Sequence, residues 1–251
     1  MIISMPQHRF YCSALTLDQE NTTLLDKKEI HHLKDVLRLK IGANITLFDG
    51  HGTEALGEIL KASEKSVKIK ILKKMTNTKN KTLIVLACAI PKKSKFESII
   101  EKCTELGVDE IIPLKTKRTE IKLSDDKAKK KLIRFQNICI NASKQSKRVK
   151  LPKIHPISTF NNSLKHLTKD NIGFIGSLEG KRKKLKDVVT NDLKSKSKII
   201  FFIGPEGDFT PDEVSSAIKQ GCIPISLGKT TLKVDTAAIS VISFSNFIIN
   251  T

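Results

Sequence analysis

The sequence predicts an α/β fold for most of the chain, preceded by a small N-terminal β-barrel. Apolar runs at 199–203 and 223–227 each end on a glycine and lead into a helix-like segment, the pattern of parallel strands buried on both faces. Residues 1–74 instead contain short stretches in which apolar and polar residues alternate, which is typical of half-buried strands. We therefore expect two domains, 1–74 and 82–251, joined by a polar linker at 75–81.

The N-terminal region combines several short strands with one helix. Segment 26–39 has the spacing of a short amphipathic helix. The segments 44–48, 55–60 and 67–72 predict strands, and the last two are expected to pair with each other. The apolar face of the helix comprises Ile30, Leu33, Val36 and Leu37.

The second domain begins with a regular alternation of strands and helices. Buried strands are predicted at 83–90, 110–114 and 172–178. Apolar residues at helical spacing through 96–106 predict a helix that ends at a glycine, and a longer helix is expected after Ser124. This alternation favours a parallel sheet with helices on its faces.

The stretch 198–238 contains the strongest local signals. Its first strand runs directly into Gly204-Pro205, which with Gly207 predicts a tight turn. Thr210 and Glu213 then form a capping box, with proline at the first helical position. After the strand at 223–227, a last helix is expected to begin at Asp235 or Thr236.

Strands that end on glycine predict a ligand pocket. Ligands of open α/β sheets bind beyond the carboxyl ends of the strands, and glycine lets them approach the backbone. Segments 204–207 and 227–232 should therefore wall one small-molecule pocket, although ordinary turns explain the glycines equally well. Gly228-Lys229-Thr230 does not end a Walker phosphate loop, because Ile223 occupies the position of the required first glycine.

The charge of the chain indicates a polyanionic partner. The net charge is +19 and the isoelectric point is about 9.7, so nucleic acid is the first candidate. The alternative is a compositional bias toward lysine, which would add charge evenly without choosing sites.

The cysteines and the hydropathy pattern exclude several classes. The five cysteines form no C-x-x-C or His/Cys cluster, so we expect no metal site and reduced core thiols in a cytoplasmic protein. We recognise no signal peptide, and no apolar run approaches the roughly 20 residues that span a bilayer, so no membrane contact is expected.

Basic residues at the ends of several predicted elements are candidate RNA contacts. Arg148 offers a planar fork for phosphate or a base edge, and Gln145 offers both a donor and an acceptor. The alternative is that basic residues favour a helix C-terminus for electrostatic reasons. Further basic residues follow two strands and could contact phosphate or form a solvated surface: Lys92, Lys93 and Lys95, and Lys115, Lys117 and Arg118.

Several motifs are similar to those of a known class of enzymes. GPEGDF at 204–209, followed by the LG…L…DTAA segment at 227–238, resembles the knotted SPOUT class of S-adenosylmethionine-dependent RNA methyltransferases. More narrowly, it resembles the bacterial small-subunit ribosomal RNA uridine-N3 methyltransferases. The stretches 36–52 and 91–114, and the Q-S-x-R motif at 145–148, are also similar to that family.

This resemblance implies a fold, a cofactor and partners. The expected fold is a SPOUT-type knotted α/β methyltransferase domain behind a PUA-like β-barrel that holds RNA. The expected cofactor is S-adenosyl-L-methionine, and the expected partners are ribosomal RNA or the small ribosomal subunit and a second copy of the chain.

Three positions depart from the family pattern. Asp208 replaces the usual glycine, Lys233 the usual arginine and Asp235 the usual glutamate. The last two keep the charge, so methyltransferase activity is still expected, whereas Asp208 affects the shape of the turn.

The resemblance also implies which residues bind the cofactor and RNA. The implied cofactor contacts are Leu178, Ile203, Gly204, Glu206, Gly207, Leu227, Gly228, Leu232, Thr236 and Ala237. The implied RNA contacts are Arg9, Arg38, Lys93, Arg118, Lys144, Gln145 and Arg148.

Methylation at uridine N3 imposes a chemical requirement on the site. The nitrogen must lose its proton, which needs a general base or a cation that stabilises the developing anion. Arg148, Asp235 and Glu206 are the candidates for these roles. The target base must also leave its stack to enter a small pocket.

Two other functions remain open from the sequence. A 2′-O-ribose methyltransferase of the same class would use the same pocket. A non-catalytic RNA-binding protein would explain the charge but not three glycine-ended strands.

Overall fold

A computed structural model of the chain describes residues 6, 8–15, 20–76, 82–91, 95–119 and 124–250. The chain forms two compact units. One comprises Met1–Lys79 with Ser143–Leu151, and the other comprises Asn80–Ala142 with Pro152–Thr251. Sequence reasoning placed only residues 1–74 in the first unit and did not anticipate that a second, later segment packs with it.

The N-terminal unit contains a curled five-stranded sheet. Its strands occur in the order β1-β3-β4-β5-β2, with β1 parallel to β3 and the other neighbours antiparallel. All five strands contribute side chains to a single core, so the sheet wraps around that core, as the predicted small barrel requires. The strands are β1 (Arg9–Tyr11), β2 (Asn21–Leu24), β3 (Asn44–Phe48), β4 (Thr53–Ala62) and β5 (Val67–Thr76).

The first helix differs from the prediction in its second half. Helix α1 (Lys27–His31) is capped by Asp26, whose carboxylate accepts backbone N–H groups of the first turn. It continues as a π-helix over His32–Val36, where the Leu37 N–H donates to the His32 carbonyl at 2.9 Å. The wider π-helical turn changes which residues of the helix point toward the core. Val36 is therefore 59% exposed, whereas Leu37 packs against the core. Placing Val36 on the apolar face was therefore wrong.

The second unit is built on one parallel sheet. The strand order is β11-β13-β10-β12-β6-β7-β8, and β9 pairs with β7. Every pair in this sheet is parallel. The strands are β6 (Leu83–Ala89), β7 (Glu110–Lys115), β8 (Lys153–Ile154), β9 (Ser158–Thr159), β10 (Asn171–Gly176), β11 (Lys183–Lys184), β12 (Lys198–Ile203) and β13 (Ile223–Ser226).

Helices cover both faces of this sheet. Phe201 faces a core formed with α2, α3 and α7, whereas its neighbour Phe202 faces a second core formed with α4 and α6. This alternation explains why the strands are almost continuously apolar. The helices are α2 (Lys95–Glu105), α3 (Asp125–Gln145), α4 (Phe160–Ser163), α5 (Leu185–Val188), α6 (Pro211–Lys219) and α7 (Val234–Asn250).

The order of the later strands in the sheet differs from their order in the chain. β10 lies between β12 and β13 in the sheet, although both strands follow it in the chain. The connection from β12 to β13 must therefore pass β10, and the connection from β10 to β11 must pass β13. The sheet therefore does not follow a simple sequential order in this region.

The basic run at 181–186 contains a short strand of the parallel sheet. Lys183 and Lys184 form the edge strand β11, which pairs with β13 at Ile225 and Ser226. A very short, lysine-bearing edge strand resists pairing with other chains, which explains how a charged run can occupy a sheet.

The described residues contain no helix that is long and apolar enough to cross a membrane. All five cysteines are free and buried. Burial raises the pKa of the Cys103 and Cys222 thiols to about 12, so these thiols stay protonated and unreactive.

A buried ionic cluster lies at the amino end of β7. Glu110 contacts His155 at 2.8 Å and Lys198 at 2.6 Å. The hydrogen bond with His155 and the pairing with Lys198 outweigh burial and lower the pKa of Glu110 to about 2. Because the folded pKa lies below the ordinary value of 4.5, this carboxylate stabilises the fold above pH 4.5, and its contribution disappears as the pH falls toward 2.

We expect Glu110→Gln to lower the free energy of unfolding by about 1.5–3 kcal/mol at pH 7, because it removes a charge-assisted hydrogen-bond acceptor. The difference from the unaltered protein should shrink between pH 4.5 and pH 2, as measured by urea denaturation. Glu97→Gln is the matched control, since its partner Arg134 is 67% exposed and the pair should contribute below about 1 kcal/mol. Equal losses of stability for both variants would contradict this account.

Candidate active site

A cavity of about 390 Å³ lies at the carboxyl ends of three adjacent strands, β10, β12 and β13. Its walls are the loops that follow these strands and the first turn of α7. The sequence predicted a pocket at this edge from the glycines that end the strands, and the structure confirms its position. The lining comprises Gly176, Ser177, Leu178, Arg182, Ile203, Gly204, Pro205, Glu206, Asp208, Ile225, Ser226, Leu227, Gly228, Lys229, Thr230, Thr231, Leu232, Lys233, Val234 and Ala237.

The loop after β12 is a tight turn from Pro205 to Asp208. The Asp208 N–H donates to the Pro205 carbonyl at 2.9 Å and closes the turn. At Gly204, an added Cβ would lie 3.1 Å from the backbone nitrogen and side chain of Phe209. A side chain at position 204 would therefore press tightly against the turn, which would have to shift by a few tenths of an ångström, and this favours glycine.

The turn is anchored to the helix behind it. The Thr210 hydroxyl accepts the Glu213 N–H, and the Glu213 carboxylate accepts the Thr210 N–H, which confirms the predicted capping box. The other oxygen of Glu213 accepts the Lys117 N–H at 2.9 Å. The start of α6 is thereby tied to the loop after β7.

The loop after β13 depends on Gly228. Its φ angle is +148°, a conformation that residues with a side chain rarely adopt. The Ser226 hydroxyl donates to the Gly228 carbonyl at 3.0 Å and supports this bend. The bend turns the chain toward residues 229–233, which form the far wall of the cavity.

Most of the predicted cofactor contacts line the cavity, and two do not. The Gly207 carbonyl instead accepts a hydrogen bond from Arg118, and Thr236 is exposed on α7. Because α7 already begins at Val234, its first turn presents Val234 and Ala237 to the cavity and leaves Thr236 outside. The eight that line it are Leu178, Ile203, Gly204, Glu206, Leu227, Gly228, Leu232 and Ala237.

The three candidates for assisting proton removal are placed differently. Glu206 lines the cavity. Asp235 is half-buried beside it, and its Oδ1 atom is buried without a hydrogen-bond partner among the described residues. Arg148 belongs to the N-terminal unit, where its carbonyl accepts a hydrogen bond from Arg9 at 3.3 Å.

Two of the predicted RNA contacts, Arg9 and Lys144, instead form ion pairs within the N-terminal unit. Arg9 is 8% exposed, forms an ion pair with Glu54 and packs over the Phe48 ring. Lys144 lies 2.8 Å and 2.9 Å from the carboxylate oxygens of buried Glu29. Removing either cation from its carboxylate would be costly, so the structure does not support RNA contacts for Arg9 or Lys144.

The other predicted RNA contacts are more accessible. Arg38 and Gln145 are exposed in the N-terminal unit, and Arg148 is half-buried there. Arg118 is exposed in the second unit, where it holds the turn at Gly207. Lys93 lies outside the described residues.

Sequence reasoning missed three basic residues at the cavity. Arg182, Lys229 and Lys233 all line it and are exposed. The run at 181–186 was the available signal for Arg182, but nothing in the sequence places that run beside the loop after β13. No group of three or more His, Cys, Asp or Glu residues that could hold a metal ion occurs within the described part of the chain.

Comparison with known proteins identifies the family. The model of the RNA methyltransferase domain family matches residues 78–246, and that of the RNA methyltransferase PUA domain matches residues 25–72. Ribosomal RNA small subunit methyltransferase E of Mesomycoplasma hyopneumoniae is 34% identical over 90% of this chain and 94% of its own. The Bacillus subtilis protein of the same name is 30% identical over 91% of this chain and 92% of its own.

The chain belongs to the ribosomal RNA small subunit methyltransferase E family. A crystal structure of the family member from Neisseria gonorrhoeae, bound to S-adenosyl methionine, superposes with a TM-score of 0.85 at 29% identity and covers 98% of both chains. The predicted fold class, a SPOUT-type methyltransferase domain with an N-terminal PUA-like domain, is therefore confirmed.

Proposed function

We propose that the protein transfers a methyl group from S-adenosyl-L-methionine to N3 of a uridine in small-subunit ribosomal RNA. The observation that carries this proposal is the cavity at the carboxyl ends of β10, β12 and β13, in a chain that belongs to this family. The uridine-N3 target rests on the similarity of the motifs at 204–209 and 227–238 to those of uridine-N3 enzymes.

The residues of the cavity fit this cofactor. A volume of about 390 Å³ is within the range of small-molecule sites, roughly 300–1,000 Å³. Ile203 and Leu232 offer apolar surface for a planar base, and the bare backbone at Gly228 offers hydrogen-bonding groups. Lys229 supplies a positive charge for the carboxylate of the amino-acid end. When bound, S-adenosyl-L-methionine supplies the electrophilic methyl group.

We assign proton removal from N3 to Glu206. It is the one of the three candidate residues that lines the cavity. A carboxylate there can act as a general base toward the imide proton, while cations at the same cavity favour the anion that forms. Arg182, Lys229 and Lys233 are the lining cations.

These three cations also mark where RNA would approach. They are exposed, and the edge strand β11, which directly follows Arg182, pairs with β13 up to Ser226, three residues before Lys229. Lys229 and Lys233 form no ion pair with any carboxylate in the described part of the chain. A group of accessible cations beside a ligand cavity suits the phosphates that flank a flipped base.

The proposed reaction predicts a specific product. Incubation of the protein with labelled S-adenosyl-L-methionine and small ribosomal subunits or their free RNA should transfer one methyl group per RNA. Mass analysis of the digested RNA should place this group on a uracil base. Label on the ribose would favour 2′-O methylation, and RNA binding without any transfer would favour a non-catalytic protein.

Glu206→Gln should lower kcat by about 100-fold, the smaller end of the usual contribution of a general base. Its affinity for the cofactor, measured by calorimetry, should change little in comparison, because the shape of the side chain is kept. Glu179→Gln is the control, since Glu179 is exposed and does not line the cavity. If Glu206→Gln turns over like the unaltered protein, Glu206 is not the base.

Replacing both Lys229 and Lys233 with alanine should weaken RNA binding and flatten its salt dependence. A plot of log affinity against log salt concentration has a negative slope. Its magnitude should become smaller by about 0.7–0.9 for each phosphate that the protein no longer neutralises. The matched control replaces Lys129 and Lys130, which are exposed on α3. An equal effect of both pairs would mean that the overall charge, rather than the lysines at the cavity, attracts RNA.

The family resemblance further supports a homodimer that acts in the cytoplasm. Phe247 on α7 is 69% exposed, an apolar surface that a second copy could cover. Five free, buried cysteines suit a reducing compartment. Sedimentation velocity of the purified protein tests the dimer, and a monomer at micromolar concentration would contradict it.

A further inference from the structure

Asp208 connects two walls of the cavity. One of its carboxylate oxygens accepts the Leu178 N–H at 2.8 Å, and the other accepts the Phe209 N–H at 2.8 Å. Leu178 follows β10, whereas Asp208 follows β12, so the first hydrogen bond joins loops that are 30 residues apart in the chain. Both Leu178 and Asp208 line the cavity.

The backbone of Asp208 is unusual. Its φ angle is +61°, which glycine adopts freely and which residues with a side chain adopt rarely, aspartate and asparagine being the most tolerant. The uridine-N3 family that the motifs resemble usually has glycine at this position, so the turn itself does not require a carboxylate. A side chain at a position that favours glycine indicates that its hydrogen bonds have a use.

The same turn is held from its other side. Arg118, in the loop after β7, donates to the Gly207 carbonyl. The turn at 205–208 is thus fixed between two neighbouring loops, through Arg118 on one side and Asp208 on the other. Of these two hydrogen bonds, the one from Leu178 to Asp208 joins two residues of the cavity lining.

We propose that Asp208 is a positioning residue that fixes the spacing between the loops after β10 and β12 and so preorganises the cavity for the methyl donor. This inference rests on the proposed function. A wall that is already ordered avoids the ordering cost that a mobile loop incurs when a ligand binds. The carboxylate is suited to this role because its two oxygens accept two backbone N–H groups at once.

Two substitutions separate the carboxylate from the shape of the turn. Asp208→Gly keeps the positive φ without strain and removes the bridge between the loops. Asp208→Asn keeps the size and the tolerance for this φ, but it has one acceptor oxygen in place of two. Affinity for S-adenosyl-L-methionine should decrease about tenfold in Asp208→Gly and by a smaller factor in Asp208→Asn.

Hydrogen exchange at the Leu178 amide reports the bridge directly. This amide should lose protection in Asp208→Gly without cofactor, while the amides of β10 and β12 keep theirs. Asp212→Asn is the control, because it removes the same charge four residues away, on a side chain that is 84% exposed and lies outside the cavity. It should change neither the exchange of Leu178 nor the affinity.

Unchanged cofactor affinity in Asp208→Gly would overturn the proposal, as would unchanged protection of Leu178. If Asp208→Gly does not fold, cofactor affinity and Leu178 amide exchange are measured on Asp208→Asn instead. Values equal to those of the unaltered protein would overturn the proposal. Failure of the unaltered protein to bind S-adenosyl-L-methionine would instead contradict the proposed function, and the exchange of Leu178 would then still test the bridge.

Discussion

The cavity depends on the burial of both faces of the parallel sheet. Phe201 and Phe202 point into cores on opposite sides, so β12 cannot shift by one residue without placing each ring in the wrong core. This fixed register brings the ends of β10, β12 and β13 to one level, where their loops form a continuous wall. The site is therefore a consequence of how the core packs, and local glycines shape it only after the strands are in place.

Total charge is a poor guide to which cations serve RNA. Arg9 and Lys144 were predicted RNA contacts, yet each is paired with a carboxylate inside the N-terminal unit, where Arg9 is buried and Lys144 is largely covered. Lys229 and Lys233 were not predicted to contact RNA, yet they are exposed at the cavity. What separates the two pairs is whether an acidic partner is packed beside the cation, and that depends on tertiary structure.

Features that depend on neighbouring residues were predictable from the sequence. The capping box at Thr210 and the strands at 199–203 and 223–227 follow from a few consecutive residues, and the structure reproduces them within one residue or two. Eight of ten expected cofactor contacts line the cavity because they lie on loops that directly follow such strands. Gly207 and Thr236 lie outside the lining, because a local motif does not specify which side of a turn or helix faces the cavity.

Features that depend on distant parts of the chain could not be read in this way. The pairing of Lys183 and Lys184 with β13 joins segments about 40 residues apart, and no local sequence pattern predicts it. The assignment of 143–151 to the N-terminal unit likewise depends on residues far earlier in the chain, such as Gly50. The π-helix at 32–36 arises from a change of hydrogen-bond register that hydrophobic spacing does not reveal.

The central claim is that bare backbone at the ends of three parallel strands binds the methyl donor. A crystal structure of the protein with S-adenosyl-L-methionine tests this claim most directly. We expect the cofactor between the loops at 176–178, 203–208 and 227–233, in contact with main-chain atoms of Gly204 and Gly228. Cofactor bound at any other surface, with this cavity closed by side chains, would contradict the account.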